Sequence, residues 1–187
     1  MRKDGLTAVA CVLGLLAVAA SARAQQGFGD PLLPEGAVKQ VSPHVYVIMG
    51  FPNIGIVVGD KATLVVDTGL GARNGALVAR EAAKLSTKGQ KLYLTTTHFH
   101  PEHASGQDGF PAGTVVVRNR AQQAELEADG PRMIALFAAR PGPMRDLLQG
   151  AGVGKANILF DTDYTLDLGG VQAKLFYFGA ADRKSVV

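Results

Sequence analysis

Residues 97 to 103 read Thr97-His98-Phe99-His100-Pro101-Glu102-His103, and this stretch limits what the rest of the chain can be. Three of the four histidines fall inside it, with a carboxylate between the second and the third. Upstream, Lys91-Leu92-Tyr93-Leu94-Thr95-Thr96-Thr97 is rich in aliphatic, aromatic and β-branched residues, the composition of a strand. Downstream, the small residues Ala104, Ser105 and Gly106 mark the start of a helix. The cluster therefore belongs on a strand-to-helix loop at the carboxyl end of a strand, where α/β sheets place their chemistry.

The spacing carries a chemical reading. His98 and His100 are two residues apart, so in extended backbone they point the same way. Two imidazoles on one side suit a single borderline-soft cation such as zinc. Pro101 fixes the bend and removes a backbone donor. Beyond it, Glu102 and His103 can turn toward a second cation beside the first. A polar loop whose histidines only form hydrogen bonds is the plainer alternative. Three histidines and one glutamate in six residues outweigh it.

The motif His98-x-His100-x-Glu102-His103 resembles the HxHxDH signature of the metallo-β-lactamase superfamily. The resemblance extends upstream to Asn53-Ile54-Gly55-Ile56-Val57-Val58-Gly59-Asp60, and to Leu64-Val65-Val66-Asp67-Thr68-Gly69, which is similar to the family's Asp-Thr-Gly turn. It implies that His98 and His100 bind a first metal, and Glu102 and His103 a second. Glu102 stands where the family has Asp, and one extra methylene exceeds the roughly 0.2 Å tolerance of metal geometry. Asp67 reads either as a turn residue accepting backbone N–H bonds or, as the resemblance implies, as a carboxylate that braces the histidine loop without binding metal. The remaining histidine, His44 in Ser42-Pro43-His44-Val45-Tyr46, reads as structural.

Residues 1–24 are expected to be a secretory signal peptide. Arg2 and Lys3 open it, Leu6 to Ala20 is almost wholly apolar, and Ala22-Arg23-Ala24 is a cleavage site preceding Gln25. The apolar run is short for a membrane span, so no stable membrane anchoring is expected after cleavage, and the destination is periplasmic or secreted. Cys11, the only cysteine, lies in this segment, so the mature chain has neither a disulfide nor a thiolate ligand. Arg2, Lys3 and Arg23 against Asp4 account for two of the chain's three net positive charges. With no basic stripe interleaved with aromatics, nucleic acid is not an expected partner; a small-molecule substrate is.

A leader, 25–37, precedes a domain over 38–181. Val41–Met49, Ile54–Gly59 and Thr63–Val66 read as strands, the last two joined by a hairpin turn. Ala72–Leu85 has helical periodicity. Residues 91–96 and Gly113–Arg118 are further strands. Asn119 caps a helix that Asp129-Gly130 is expected to end. Met133–Ala139 and Met144–Gln149 are helical runs either side of Arg140-Pro141-Gly142-Pro143. The span 130–154 reads as a mobile insertion lining a substrate entrance or as a helical pair covering the sheet. Strands at 158–160, 164–168 and 171–178 follow.

This is an α/β order, and the resemblance sharpens it to an αββα sandwich with mixed sheets. Family members follow the last of these strands with a histidine that completes the first metal's ligands. Here Gly179-Ala180-Ala181 leads to Asp182. The chain is therefore expected to be a partial, inactive domain, covering the first half to two-thirds of such a sandwich. Residues 182–187, Asp182-Arg183-Lys184-Ser185-Val186-Val187, coincide with one reading frame of a common sequencing adapter and are expected to be a non-native tail. The function expected of the whole protein is metal-dependent hydrolysis of an ester, lactone, thioester or amide, β-lactams included. One or two zinc ions would activate a bound water, and no other catalytic side chain is required. A non-catalytic metal binder and an iron-dependent sulfur dioxygenase-like enzyme of the same fold are the alternatives.

Overall fold

The computed structural model describes residues 30–179. The signal segment, the first part of the leader and the 182–187 tail lie outside the described residues. Nine strands and four α-helices make up the described part: β1 (Val38–Ser42), β2 (Val45–Ile48), β3 (Ile54–Val58), β4 (Ala62–Val66), α1 (Gly71–Leu85), β5 (Lys91–Thr95), α2 (Pro101–Ala104), β6 (Val115–Asn119), α3 (Arg120–Ala138), α4 (Pro143–Leu147), β7 (Ile158–Phe160), β8 (Asp163–Asp167) and β9 (Gln172–Phe176). Strands β1 to β7 form one sheet in sequence order, and β8–β9 form a separate hairpin. Pairing is antiparallel from β1 to β4 and parallel from β4 to β7. None of the described helices is long and apolar enough to cross a membrane.

β4 shows why the fold is layered. Alternate residues of a strand face opposite ways. Val65 packs with Leu77, Val78 and Ala82 of α1, while Ala62 and Leu64 pack with Leu166 and Leu168 of the hairpin. A strand buried on both faces reads as a continuous apolar run, as Leu64-Val65-Val66 does. Helices on one face and a second sheet on the other give the α and both β layers of the expected sandwich.

Two sequence expectations need correction. The single strand 41–49 is instead two strands, β1 and β2, paired antiparallel around Pro43-His44, with a bulge between Gln40 and Ser42. Pro43 lacks the N–H that a ladder needs, and His44 bridges to β3 through Nδ1 and Val58 O at 2.9 Å. The helix begun at Asn119 does not stop at Asp129-Gly130. It runs through Pro131 to Ala138. A Cβ at Gly130 would lie 2.6 Å from Val153 Cγ1, so this glycine is a packing contact. The stripe Met133, Ile134 and Phe137 continues onto Leu70, Met144 and Leu147. That burial outweighs the one backbone bond that Pro131 cannot make.

The 130–154 span is thus mostly helical, but it covers the start of α1 rather than a sheet face. The described end of the leader is irregular yet fixed. Leu33 N–H donates to Asn74 Oδ1 at 2.9 Å, and Asn74 Nδ2 donates to Pro31 O at 2.7 Å.

Backbone contact sets how α1 meets the loop after β5. A Cβ on Gly75 would fall 1.8 Å from Gly106 O, and one on Gly109 would fall 2.1 Å from Ala72 O. Gly75→Ala should therefore destabilise the chain by about 1–3 kcal/mol through overpacking, despite alanine's better helix propensity. Urea denaturation checks this; an unchanged or raised midpoint would show that α1 and the loop can separate freely.

Candidate metal centre

β4 and β5 run parallel with Val66 opposite Thr95. Their next residues, Asp67 and Thr96-Thr97, therefore emerge side by side at the carboxyl edge of the sheet. Asp67 has φ of 71°, a left-handed conformation in which Asp and Asn are enriched among non-glycine residues. Its carboxylate accepts the Thr97 N–H at 2.7 Å and faces His103 Nδ1 at 2.9 Å. Thr97 Oγ1 lies 3.0 Å from Asp67 Oδ2 and 3.2 Å from both His98 Nδ1 and His103 Nδ1. In the His103 pairing the ring donates through Nδ1, which turns Nε2 toward Glu102 Oε1, 4.0 Å away. Asp67 thus both closes a turn and braces the loop.

α2 is fixed to the same edge. Thr68 N–H donates to His103 O at 3.0 Å, and Thr68 Oγ1 accepts the Gly106 N–H at 3.0 Å. Ser105 Oγ accepts the Gly71 N–H at 2.9 Å and donates to Pro101 O. The Asp67-Thr68-Gly69 turn thereby holds the backbone from which Glu102 and His103 project.

The ligating atoms of His98, His100 and Glu102 all lie within 4.8 Å of one another. His100 Nδ1 is 3.8 Å from Glu102 Oε1, and the His98 ring sits 4.0 Å from that of His103, centroid to centroid. Glu102 is 7% exposed, and among the described residues its Oε2 has no hydrogen-bond partner. A buried carboxylate oxygen without a partner costs on the order of 1–3 kcal/mol or more, and a cation between the two imidazoles would offset it. Two histidines and one carboxylate are a donor set of catalytic zinc and equally of non-haem iron(II). The residues fit a metal ion.

Around this cluster, Phe137 of α3 approaches His100 at 6.5 Å between ring centroids. A cavity of about 410 Å³ opens beside His98, bordered by Thr97, Gln122, Lys174 and Phe176. His44 stands apart, bonded to β3.

Sequence reasoning missed the support behind the loop. Arg118 is wholly buried at the end of β6. It donates to Thr96 Oγ1 at 3.1 Å, Gln123 Oε1 at 2.6 Å, Gly154 O at 3.1 Å and Gln107 Oε1 at 3.0 Å. Burial pulls its guanidinium down to about 10, partly offset by the charge of Glu127, so it stays cationic at neutral pH. Gln122 Nε2 adds bonds to Thr96 O at 3.0 Å and Oγ1 at 2.9 Å. The signal was an arginine closing the apolar run Val115-Val116-Val117, with two glutamines one turn into the next helix.

Asp67→Asn keeps the left-handed residue and the Thr97 contact but removes the charge facing His103. It should retain the fold by circular dichroism and weaken zinc binding about 10- to 100-fold, the usual effect of removing a ligand's outer partner. Titration with a zinc indicator measures this; unchanged affinity would leave Asp67 a turn residue only.

The sequence pattern of the Metallo-beta-lactamase superfamily matches residues 47–183. No curated protein matches the sequence. Among solved structures, the stereoselective inverting sec-alkylsulfatase Pisa1 from Pseudomonas sp. superposes with a TM-score of 0.56 at 15% identity, over 75% of this chain and 27% of that one. The FEZ-1 metallo-β-lactamase of Legionella gormanii gives 0.54 at 12% identity, over 76% and 53%. A metallo-β-lactamase of Cronobacter sakazakii with a HARLDQ motif gives 0.53 at 18% identity, over 75% and 52%. The chain therefore spans about half the length of these β-lactamases and about a quarter of the sulfatase. At such identities the superpositions speak for the fold alone, and they agree with the sequence match over 47–183: the chain belongs to the metallo-β-lactamase superfamily.

Proposed function

We propose that the protein carrying this chain is an exported, zinc-dependent hydrolase acting on a small-molecule ester, lactone, thioester or amide. The observation that carries this reading is the convergence of His98, His100 and a buried Glu102 within 4.8 Å at the carboxyl edge of the sheet. Bound zinc brings the pKa of its water to ~7 and polarises a scissile carbonyl. The chain's own residues do the rest. His98, His100 and Glu102 would hold an ion, with His103 beside them. Asp67 and Thr97 orient the loop from behind. Phe137 places an apolar ring near His100. The sec-alkylsulfatase and β-lactamases of similar fold make ester and amide hydrolysis the chemistry to test first.

A second reading, an iron-dependent oxidoreductase of sulfur dioxygenase type, has the donor set itself in its favour. Elemental analysis of the purified protein separates the two. The composition of residues 1–24 supports export to the periplasm or beyond, with no nucleic-acid partner and no lasting membrane anchor.

His98→Ala or His100→Ala should each abolish chelator-sensitive turnover of an activated ester or a β-lactam, since each removes a ligand. Full activity in either variant would refute the site. On export, mass spectrometry of the periplasmic fraction should find an N-terminus at Gln25; recovery of Met1 in the inner membrane would contradict it.

A further inference from the structure

We infer that Leu33 and Asn74 are positioning residues for the histidine loop, and that residues 31–36, ahead of the sheet, are a strap holding the Asp67-Thr68-Gly69 turn in place. The inference rests on the reading of residues 97–103 as the working site, and it adds a part of the chain which that reading does not use.

The strap is tied to α1 at two points. Asn74 is fully buried. Its Oδ1 accepts the Leu33 N–H at 2.9 Å, and its Nδ2 donates to Pro31 O at 2.7 Å and to Leu70 O at 3.0 Å. Both amide protons and the amide oxygen are thus used, and they join the strap to the residue after Gly69. Roughly two turns further along α1, the buried Glu81 accepts the Gly36 N–H at 3.3 Å. Between the ties Leu33 turns inward and is 2% exposed. A Cβ at Gly69 would lie 2.9 Å from Leu33 Cδ1, and a Cβ at Gly50 would lie 2.5 Å from Leu33 Cδ2. The side chain is therefore wedged between two stretches of main chain, the start of the β2–β3 turn and the turn after β4. Thr68, beside Gly69, holds His103 O through its N–H and the Gly106 N–H through its Oγ1. Asp67, one residue further back, holds Thr97 and His103. Leu33 and Asn74 thus press on one end of the turn whose other end braces the loop. Main chain cannot fill a void by changing rotamer, so a gap at Leu33 passes to the turn as a shift or as added freedom. Leu33 also belongs to the apolar cluster under the sheet, so its truncation lowers stability as well as loosening the turn.

Amide hydrogen exchange on the metal-free full chain, followed by zinc titration with an indicator, separates the two effects. The Thr97 and Gly106 amides report the turn, because they donate to Asp67 and Thr68. Leu33→Ala should speed their exchange about tenfold or more and weaken zinc binding about tenfold. Leu33→Met, which conserves volume, should return both toward the wild type. Leu166→Ala removes the same atoms from the buried cluster on the other sheet face. It controls for stability alone and should leave both readings unchanged. Unchanged exchange or unchanged affinity in Leu33→Ala would overturn the inference, as would equal acceleration in Leu166→Ala. Should Leu33→Ala fail to fold by circular dichroism, the smaller truncation Leu33→Val is read in the same way. The outcome is separable from the hydrolase proposal, since exchange is measured without metal. A loosened turn in Leu33→Ala, with no turnover in the wild type, would sink hydrolysis and leave this assignment standing. Chelator-sensitive turnover with a turn indifferent to Leu33 would do the reverse.

Discussion

Everything at the sheet's carboxyl edge depends on the Asp67 carboxylate reaching across from β4 to the loop after β5. Parallel pairing of β4 and β5 brings Asp67 out beside Thr96-Thr97, and a left-handed backbone at Asp67 turns the side chain sideways. One carboxylate then holds a backbone N–H and an imidazole. Without it, Thr97 and His103 would lose the carboxylate that orients them, and ordering the loop would fall to a bound metal at a cost in affinity. With it, the His103 ring and the Thr97 backbone are held without an ion.

Much of this could be read from the residues. The apolar run of β4 and the 3.6-residue period of α1 survive in the structure because each is a local consequence of burial, on both faces for the strand and on one for the helix. The loop could be read because metal chemistry demands particular residue types close together. Two kinds of feature could not. Tertiary packing carried α3 through Gly130-Pro131, residues that end helices when nothing is packed against them. The approach of Glu102 to within 4.8 Å of His98 and His100 depends on where a pinned backbone puts the end of a side chain, whereas the spacing turned it with His103 toward a second cation.

Arg118 belongs to a third kind. A buried guanidinium facing four neutral acceptors is expensive to desolvate, and only hydrogen-bond saturation makes it tolerable. Its contacts join β5, the turn after α2, α3 and the segment at Gly154, elements far apart in sequence. No window of sequence shows such a junction. Its effect is to link α3 and the segment at Gly154 to the strand end from which the histidine loop departs.

The contact between Gly75 and Gly106 bears on how such a site can change over time. The separation of α1 from the metal loop is set by main chain against main chain, with no side chain between. Substitutions elsewhere on α1 can repack its apolar face without altering that separation. The metal-facing geometry is thereby insulated from drift in the core, and a lineage can exchange leucine for valine beneath the sheet while the loop above keeps its dimensions. Mutational tolerance of the core and rigidity of the site, which usually compete, are here assigned to different atoms.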